Sequence, residues 1–325
     1  MQHLRDLTDG QQVAILFVLL FGVLSVATIW TFGRSLQDQD ETALARQVRT
    51  RRDLRAAWVA SVLFWVAWVS GPVGSTLLFA IVSFLALREF ITLSHTRRGD
   101  HRTLILAFFV VLPMQYLIVG HRQFDLFTVF VPVYVFLAVP VVSALGNDPQ
   151  RFLERTAKIQ WGLMVCIYGM SHAPALLLLA VPGAEGRGAF FVLYLVAVVA
   201  VGQFAQESAS RWMRRRPVAR AISRSFSWRT WGTGVLAGGL LGLALFWATP
   251  LEPLGAFAMG AVAAGAGAFG DFVMRALKRD AGVRFWGTRT SLTGAVGLLD
   301  RVAPLCFAAP VFFHVLRWTT GAGIA

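Results

Sequence analysis

Apolar runs long enough, or nearly so, to cross a hydrocarbon core of ~30 Å recur along the whole chain. They fall at about 13–32, 56–71, 73–93, 103–120, 124–145, 159–181, 189–206, 231–249, 254–274 and 303–318. Lipid offers no partner to a free backbone N–H or C=O, so runs of this length fold as helices. The pattern predicts an all-α fold: a polytopic integral membrane bundle of about ten transmembrane helices, the second and last being the shortest. Composition agrees. Of the 325 residues 56% are hydrophobic and 14% charged, too little polar surface to cover a soluble domain of that size.

The charge that remains is strongly basic, +13 at neutral pH. Such a balance often marks a nucleic-acid binder, but Arg-rich loops between apolar spans give the same figure, and no nucleic-acid partner is expected. The connections 33–55, 94–102, 146–158, 207–230 and 275–302 hold nearly all of the basic residues. The alternate connections, near Gly71-Pro72, His121–Gln123, Pro182–Arg187 and Pro250–Pro253, hold almost none. The positive-inside rule then places the basic loops on the cytoplasmic side of an inner membrane, with both termini outside. The first run is long enough to span and has no small-residue cleavage site after it, so it reads as a membrane helix rather than a signal peptide. The chain divides into residues 1–54, one transmembrane helix and a basic loop, and residues 55–325, the main transmembrane domain.

Cys166 and Cys306 lie inside apolar runs without metal-site spacing and read as packing residues. Gly234, Gly238, Gly239, Gly242, Gly260, Gly265, Gly267 and Gly270 are dense in two neighbouring runs. Close helix–helix approach is the simplest use of such residues in lipid. Ionisable residues at membrane depth are few: Arg88-Glu89 ends the third run, Asp271 ends the ninth, and His172 and His314 sit within the sixth and tenth. The histidines read as interhelical hydrogen-bonding groups, and Arg88-Glu89 as a pair reaching to the interface.

Asp271 is followed by Arg275-Ala276-Leu277-Lys278-Arg279-Asp280, then Arg284-Phe285 and Gly297-Leu298-Leu299-Asp300-Arg301. This order resembles the signature of the CDP-diacylglycerol synthases (phosphatidate cytidylyltransferases): S-x-x-K-R, four residues, K-D, then H-G-G-x-x-D-R-x-D. The likeness extends over roughly residues 55–318, including Leu87–Phe90, Arg97–Arg102, Arg151–Trp161 and Cys306–His314. It implies transfer of a cytidylyl group from CTP to phosphatidate with Mg²⁺. Asp271, Lys278, Arg279, Asp300 and Arg301 would be the catalytic residues, with Asp271 and Asp300 on the metal. Arg211, Ser223, Ser227, Arg229, Asp280 and Arg284 would hold substrate. The residue types suit that chemistry, since carboxylates hold hard cations and Lys or Arg clamps phosphates. Anionic phospholipid, phosphatidate above all, is the expected partner, with a homodimer as the candidate assembly.

Five positions depart from the family's pattern. Gln203 stands where the family has an acid, Phe226 where it has a lysine, Phe285 in place of the aspartate of K-D, Ala295 in place of the histidine of H-G-G, and Ala303 in place of the last aspartate. Phe285 cannot ligate a cation, Phe226 cannot contact a phosphate and Ala295 can neither donate nor accept a proton; each tenfold loss of rate corresponds to about 1.4 kcal/mol of barrier. Two readings of function therefore stand side by side: a cytidylyltransferase of phospholipid synthesis, and a catalytically impaired relative that binds anionic lipid or partners a membrane enzyme. A transporter ranks last, because the sequence has neither repeated halves nor paired broken helices.

Overall fold

The computed structural model describes residues 9–37, 41–94, 96–213, 216–282 and 297–322. These form ten helical runs in chain order: α1 (Asp9–Gln37), α2 (Glu41–Val69), α3 (Gly71–Leu93), α4 (Arg98–Gly120), α5 (Phe124–Ala144), α6 (Phe152–Leu178), α7 (Gly188–Trp212), α8 (Trp228–Ala244), α9 (Pro253–Asp280) and α10 (Leu298–Thr320). No strand occurs among the described residues. Seven of the helices, α3 to α7 with α9 and α10, are long and apolar enough to cross a bilayer. The protein is an all-α polytopic membrane bundle.

Each expected run is helical, but several helices outrun their apolar stretches. α6 starts at Phe152, α7 ends at Trp212 and α9 ends at Asp280. Arg155, Lys158, Arg211, Lys278 and Arg279 were expected in connections, and they lie instead on helical ends. Cations suit the last turns of α7 and α9, where unpaired carbonyls concentrate negative charge. α8 is the short one. It has 17 residues, and a 3₁₀ turn at Phe246–Ala248 follows it before Pro250 and Pro253.

Two compact units are present, Met1–Ser75 and Thr76–Ala325. In the first, α1 and α2 pair through Phe17, Phe21, Trp58 and Trp65, whose rings meet at 5.4–6.0 Å. The indole N–H of Trp58 donates to Thr28 Oγ1 at 3.0 Å.

In the second unit α7, α8 and α9 share a glycine seam. A Cβ at Gly202 would lie 2.7 Å from Ala264 Cβ, and one at Gly260 would lie 2.6 Å from the Gly238 carbonyl. Only glycine fits there, as close packing in lipid requires. A second body of core gathers Leu87, Phe90, Ile159, Leu163, Met274, Leu299, Ala303 and Cys306, joining α3, α6, α9 and α10. Three spanning helices carry a π turn: Ala107–Val111 in α4, Phe130–Val135 in α5 and Leu163–Gly169 in α6.

Candidate functional site

At one end of the second unit, the C-terminal parts of α3 and α9 meet the start of α10. α9 ends at Asp280, and Gly282 follows in the left-handed region with φ 68°. α10 starts after Gly297, whose φ of 73° is costly for any residue with a Cβ. Gly297 brings no side chain to cap the helix. The carboxylate of Glu89 does so from α3, Oε2 accepting the Leu298 N–H at 3.1 Å. Glu89 is 3% exposed. It was expected to reach the interface, and the structure buries it against α10 instead. A lone carboxylate closing an apolar run is the sequence signal that marks it.

Two residues beyond that cap stands Asp300. Its Oδ1 lies 2.7 Å from Lys278 Nζ, the two side chains being 23% and 18% exposed. About one turn before Lys278 on α9, Arg275 grips Asp271 a further turn back. Its Nε and Nη2 both lie 2.8 Å from Oδ2. The same guanidinium reaches out at Nη1 to Ser225 Oγ, 3.4 Å away. Ser225 in turn lies 3.3 Å from Ser223 Oγ. Arg279, Asp280 and Arg301 are exposed around these pairs. Leu277, Leu298 and Val302 pack onto the apolar core beneath, so the charges form a rim above a packed floor.

Other expected members have local partners of their own or lie exposed. Ser227 starts α8, accepting from the Thr230 N–H at 3.3 Å while Thr230 Oγ1 accepts the Ser227 N–H at 3.0 Å. That reciprocal arrangement is a helix cap. Arg211 pairs with Glu207 on its own helix at 2.8 Å, and Arg229 is exposed. Phe226 is 4% exposed in an aromatic cluster, its ring 4.5 Å from Phe272 and 6.2 Å from Phe269. Ala303 is buried where α10 crosses α9, and a Cβ at Gly270 would lie 3.0 Å from its carbonyl. Gln203 is part-exposed on α7. Arg284, Phe285 and Ala295 lie outside the described residues.

A second ionic cluster joins the connections before α4 and before α6. Arg155 Nε donates to Asp100 Oδ1 at 2.9 Å, and its Nη1 and Nη2 reach the Gln150 and Asp148 carbonyls at 2.6 and 3.2 Å. Asp148 Oδ2 also takes Arg155 at 2.9 Å and Arg97 at 3.0 Å. Partial burial pushes the Asp148 carboxyl up, but the Gln150 amide, Arg155 and Arg97 outweigh it, so it titrates below the ordinary value of 3.8.

Among the described residues, the donor set does not fit a resident divalent cation. Asp271 and Asp300 are each already claimed by a basic side chain. Among the described residues no group of three or more His, Cys, Asp or Glu is placed to hold a metal. What the rim offers is cationic hydrogen-bond donors beside two carboxylates, an arrangement suited to a phosphate.

The cytidylyltransferase family matches residues 50–319 of the chain, and the protein belongs to that family. Its similarity to one relative is also extensive. The uncharacterized protein YnbB of Escherichia coli (strain K12) is 35% identical over 268 residues, covering 80% of this chain and 85% of the relative.

Proposed function

We propose that this membrane protein is a CTP:phosphatidate cytidylyltransferase whose reaction takes place at the rim formed by α3, α9 and α10. In that reaction a phosphate oxygen of phosphatidate attacks the α-phosphorus of CTP. A P–O bond forms, the bond between the α- and β-phosphates breaks, pyrophosphate leaves and CDP-diacylglycerol remains in the bilayer. Lys278 and Arg279, with Arg301, would hold phosphate oxygens as charge moves to the leaving group. Asp300 would hold Lys278 in place, with Glu89 fixing the helix start that carries Asp300. The observation that carries this reading is the Lys278–Asp300 pair, 2.7 Å apart with both side chains part-exposed, in a chain of the cytidylyltransferase family. Mg²⁺ would then arrive bound to the nucleotide. The basic ends would face the cytoplasm across the inner membrane, with both termini outside.

A second reading is favoured by Phe226 and by the two claimed carboxylates. With an aromatic cluster at the position of a phosphate-binding lysine, the protein would bind nucleotide or anionic lipid and turn over little. The test is pyrophosphate release by protein in nanodiscs supplied with phosphatidate and Mg–CTP. Release that requires both substrates supports the transferase. CTP binding without release supports the impaired relative, and absence of both removes this rim as a nucleotide site.

A further inference from the structure

Far in sequence from the rim residues, α4, α5, α6 and α10 bring a second polar group together inside the bundle. Gln115, Ser171 and His172 are each 0% exposed. Hydrogen bookkeeping fixes the role of every atom in it. A backbone carbonyl only accepts, so His172 Nδ1, 2.7 Å from the Tyr168 carbonyl, must carry a hydrogen. A neutral imidazole then has a bare acceptor at Nε2. Ser171 also gives its proton to the Tyr168 carbonyl, at 2.8 Å. Its Oγ is therefore left to accept from Gln115 Nε2 at 3.1 Å. This fixes the orientation of the amide and leaves Gln115 Oε1 as a second acceptor.

Neither His172 Nε2 nor Gln115 Oε1 has a hydrogen-bonding partner among the described residues, and both are buried. Stranding a buried acceptor costs roughly 1–3 kcal/mol. Two such atoms hang on one carbonyl, Gln115 through Ser171 and His172 directly. The surroundings are aromatic. The rings of Phe127, Tyr168 and Phe313 lie 4.6, 4.6 and 5.3 Å from the imidazole. Backbone polarity is also unusual here, since the π turn Leu163–Gly169 precedes His172, and Pro174 has no N–H to give the Met170 carbonyl. π turns inside helices often mark functional positions.

We propose that Gln115 Oε1 and His172 Nε2 are the two acceptor arms of a membrane-buried binding site for a small neutral molecule that donates two hydrogen bonds. Water has the right size and donor count. Ligands that donate nothing, and anions, are rejected because both arms only accept.

The test uses ¹⁵N-histidine-labelled full-length protein in bilayers and water-edited solid-state NMR. The expected result is an unprotonated, hydrogen-bonded His172 Nε2 that receives magnetisation from water, a transfer that weakens in Gln115→Leu. A protonated Nε2, which cannot accept a hydrogen bond, or an Nε2 with no water transfer, overturns the proposal. Melting temperatures give an independent check. Gln115→Leu and His172→Phe should each lower it, and the double variant should lose less than the two losses combined, because it removes both arms of one site. Losses that add also overturn the proposal. None of these readouts depends on the enzymatic reading of the rim.

Discussion

Two ionic clusters in the second unit show how the setting of a charge decides its use. In the first, Arg155 and Asp100 are 5% and 1% exposed, and the guanidinium spends its donors on two carboxylates and two carbonyls. Four of its five N–H groups are used in this way. In the second, Lys278 and Asp300 are about a fifth exposed, and the ammonium keeps donors for something else. A nearly saturated, buried pair ties the start of α4 to the start of α6; a part-exposed, unsaturated pair is a place to bind. Desolvation sharpens the contrast, because a buried charge must be fully compensated, whereas an open one stays partly solvated.

Arg155→Ala should give the largest effect. It would strand Asp100 as a buried carboxylate, and breaking such a pair costs about 3–5 kcal/mol. Denaturant melts in detergent should show that loss, with Arg155→Lys recovering only part of it, because an ammonium cannot reproduce the planar fork. A variant that keeps its stability but loses nucleotide binding would reverse the assignment of the two clusters.

Lys278→Ala should do the opposite. Melting would change little, whereas pyrophosphate release, or CTP affinity if turnover is low, should fall on the order of 100-fold, about 2.7 kcal/mol. If this variant melts as early as Arg155→Ala, the two clusters are not different in kind.

The sequence made the fold more legible than the site, for a physical reason. A spanning helix is written locally in some twenty consecutive residues, and the charge of each connection checks it independently. The glycines of α8 and α9 were legible in the same way, because lipid leaves small residues few other uses. A site depends on which distant atoms meet. Asp271 and Lys278 were visible as residue types, but nothing local showed that Arg275 occupies the first or that Asp300 faces the second. Ser227, expected to contact substrate, caps α8, and Ser-x-x-Thr before an apolar run is itself a capping signal. Glu89 was misjudged because its partner lies 209 residues away.

Glu89→Gln should fall between the two clusters in character. The amide oxygen still accepts from Leu298, so the loss of stability should be small, on the order of 1 kcal/mol, as for a weakened helix cap. Glu89→Ala should cost more. If Asp300 depends on this cap, Glu89→Gln should raise the KM for CTP while leaving the melt nearly unchanged. An unaltered KM would confine Glu89 to holding α10.

The smallest effect expected comes from Asp148, about a fifth exposed at the edge of the buried cluster. Its folded pKa lies below the ordinary value of 3.8. Folding therefore favours the ionised form, and the stabilisation is fully present above the ordinary value and fades as pH falls through the lowered one. Asp148→Asn should thus melt earlier than the parent protein at pH 7, and the gap should close as the buffer is taken below about pH 4. Arg155→Ala is the useful companion. Asp148 keeps Arg97 and the Gln150 amide in that variant, so adding Asp148→Asn should still lower its melting temperature at pH 7, though by less. A gap that stays the same at every pH would mean that the loss comes from uncharged contacts that asparagine fails to make, and that the charge of Asp148 contributes nothing to the cluster.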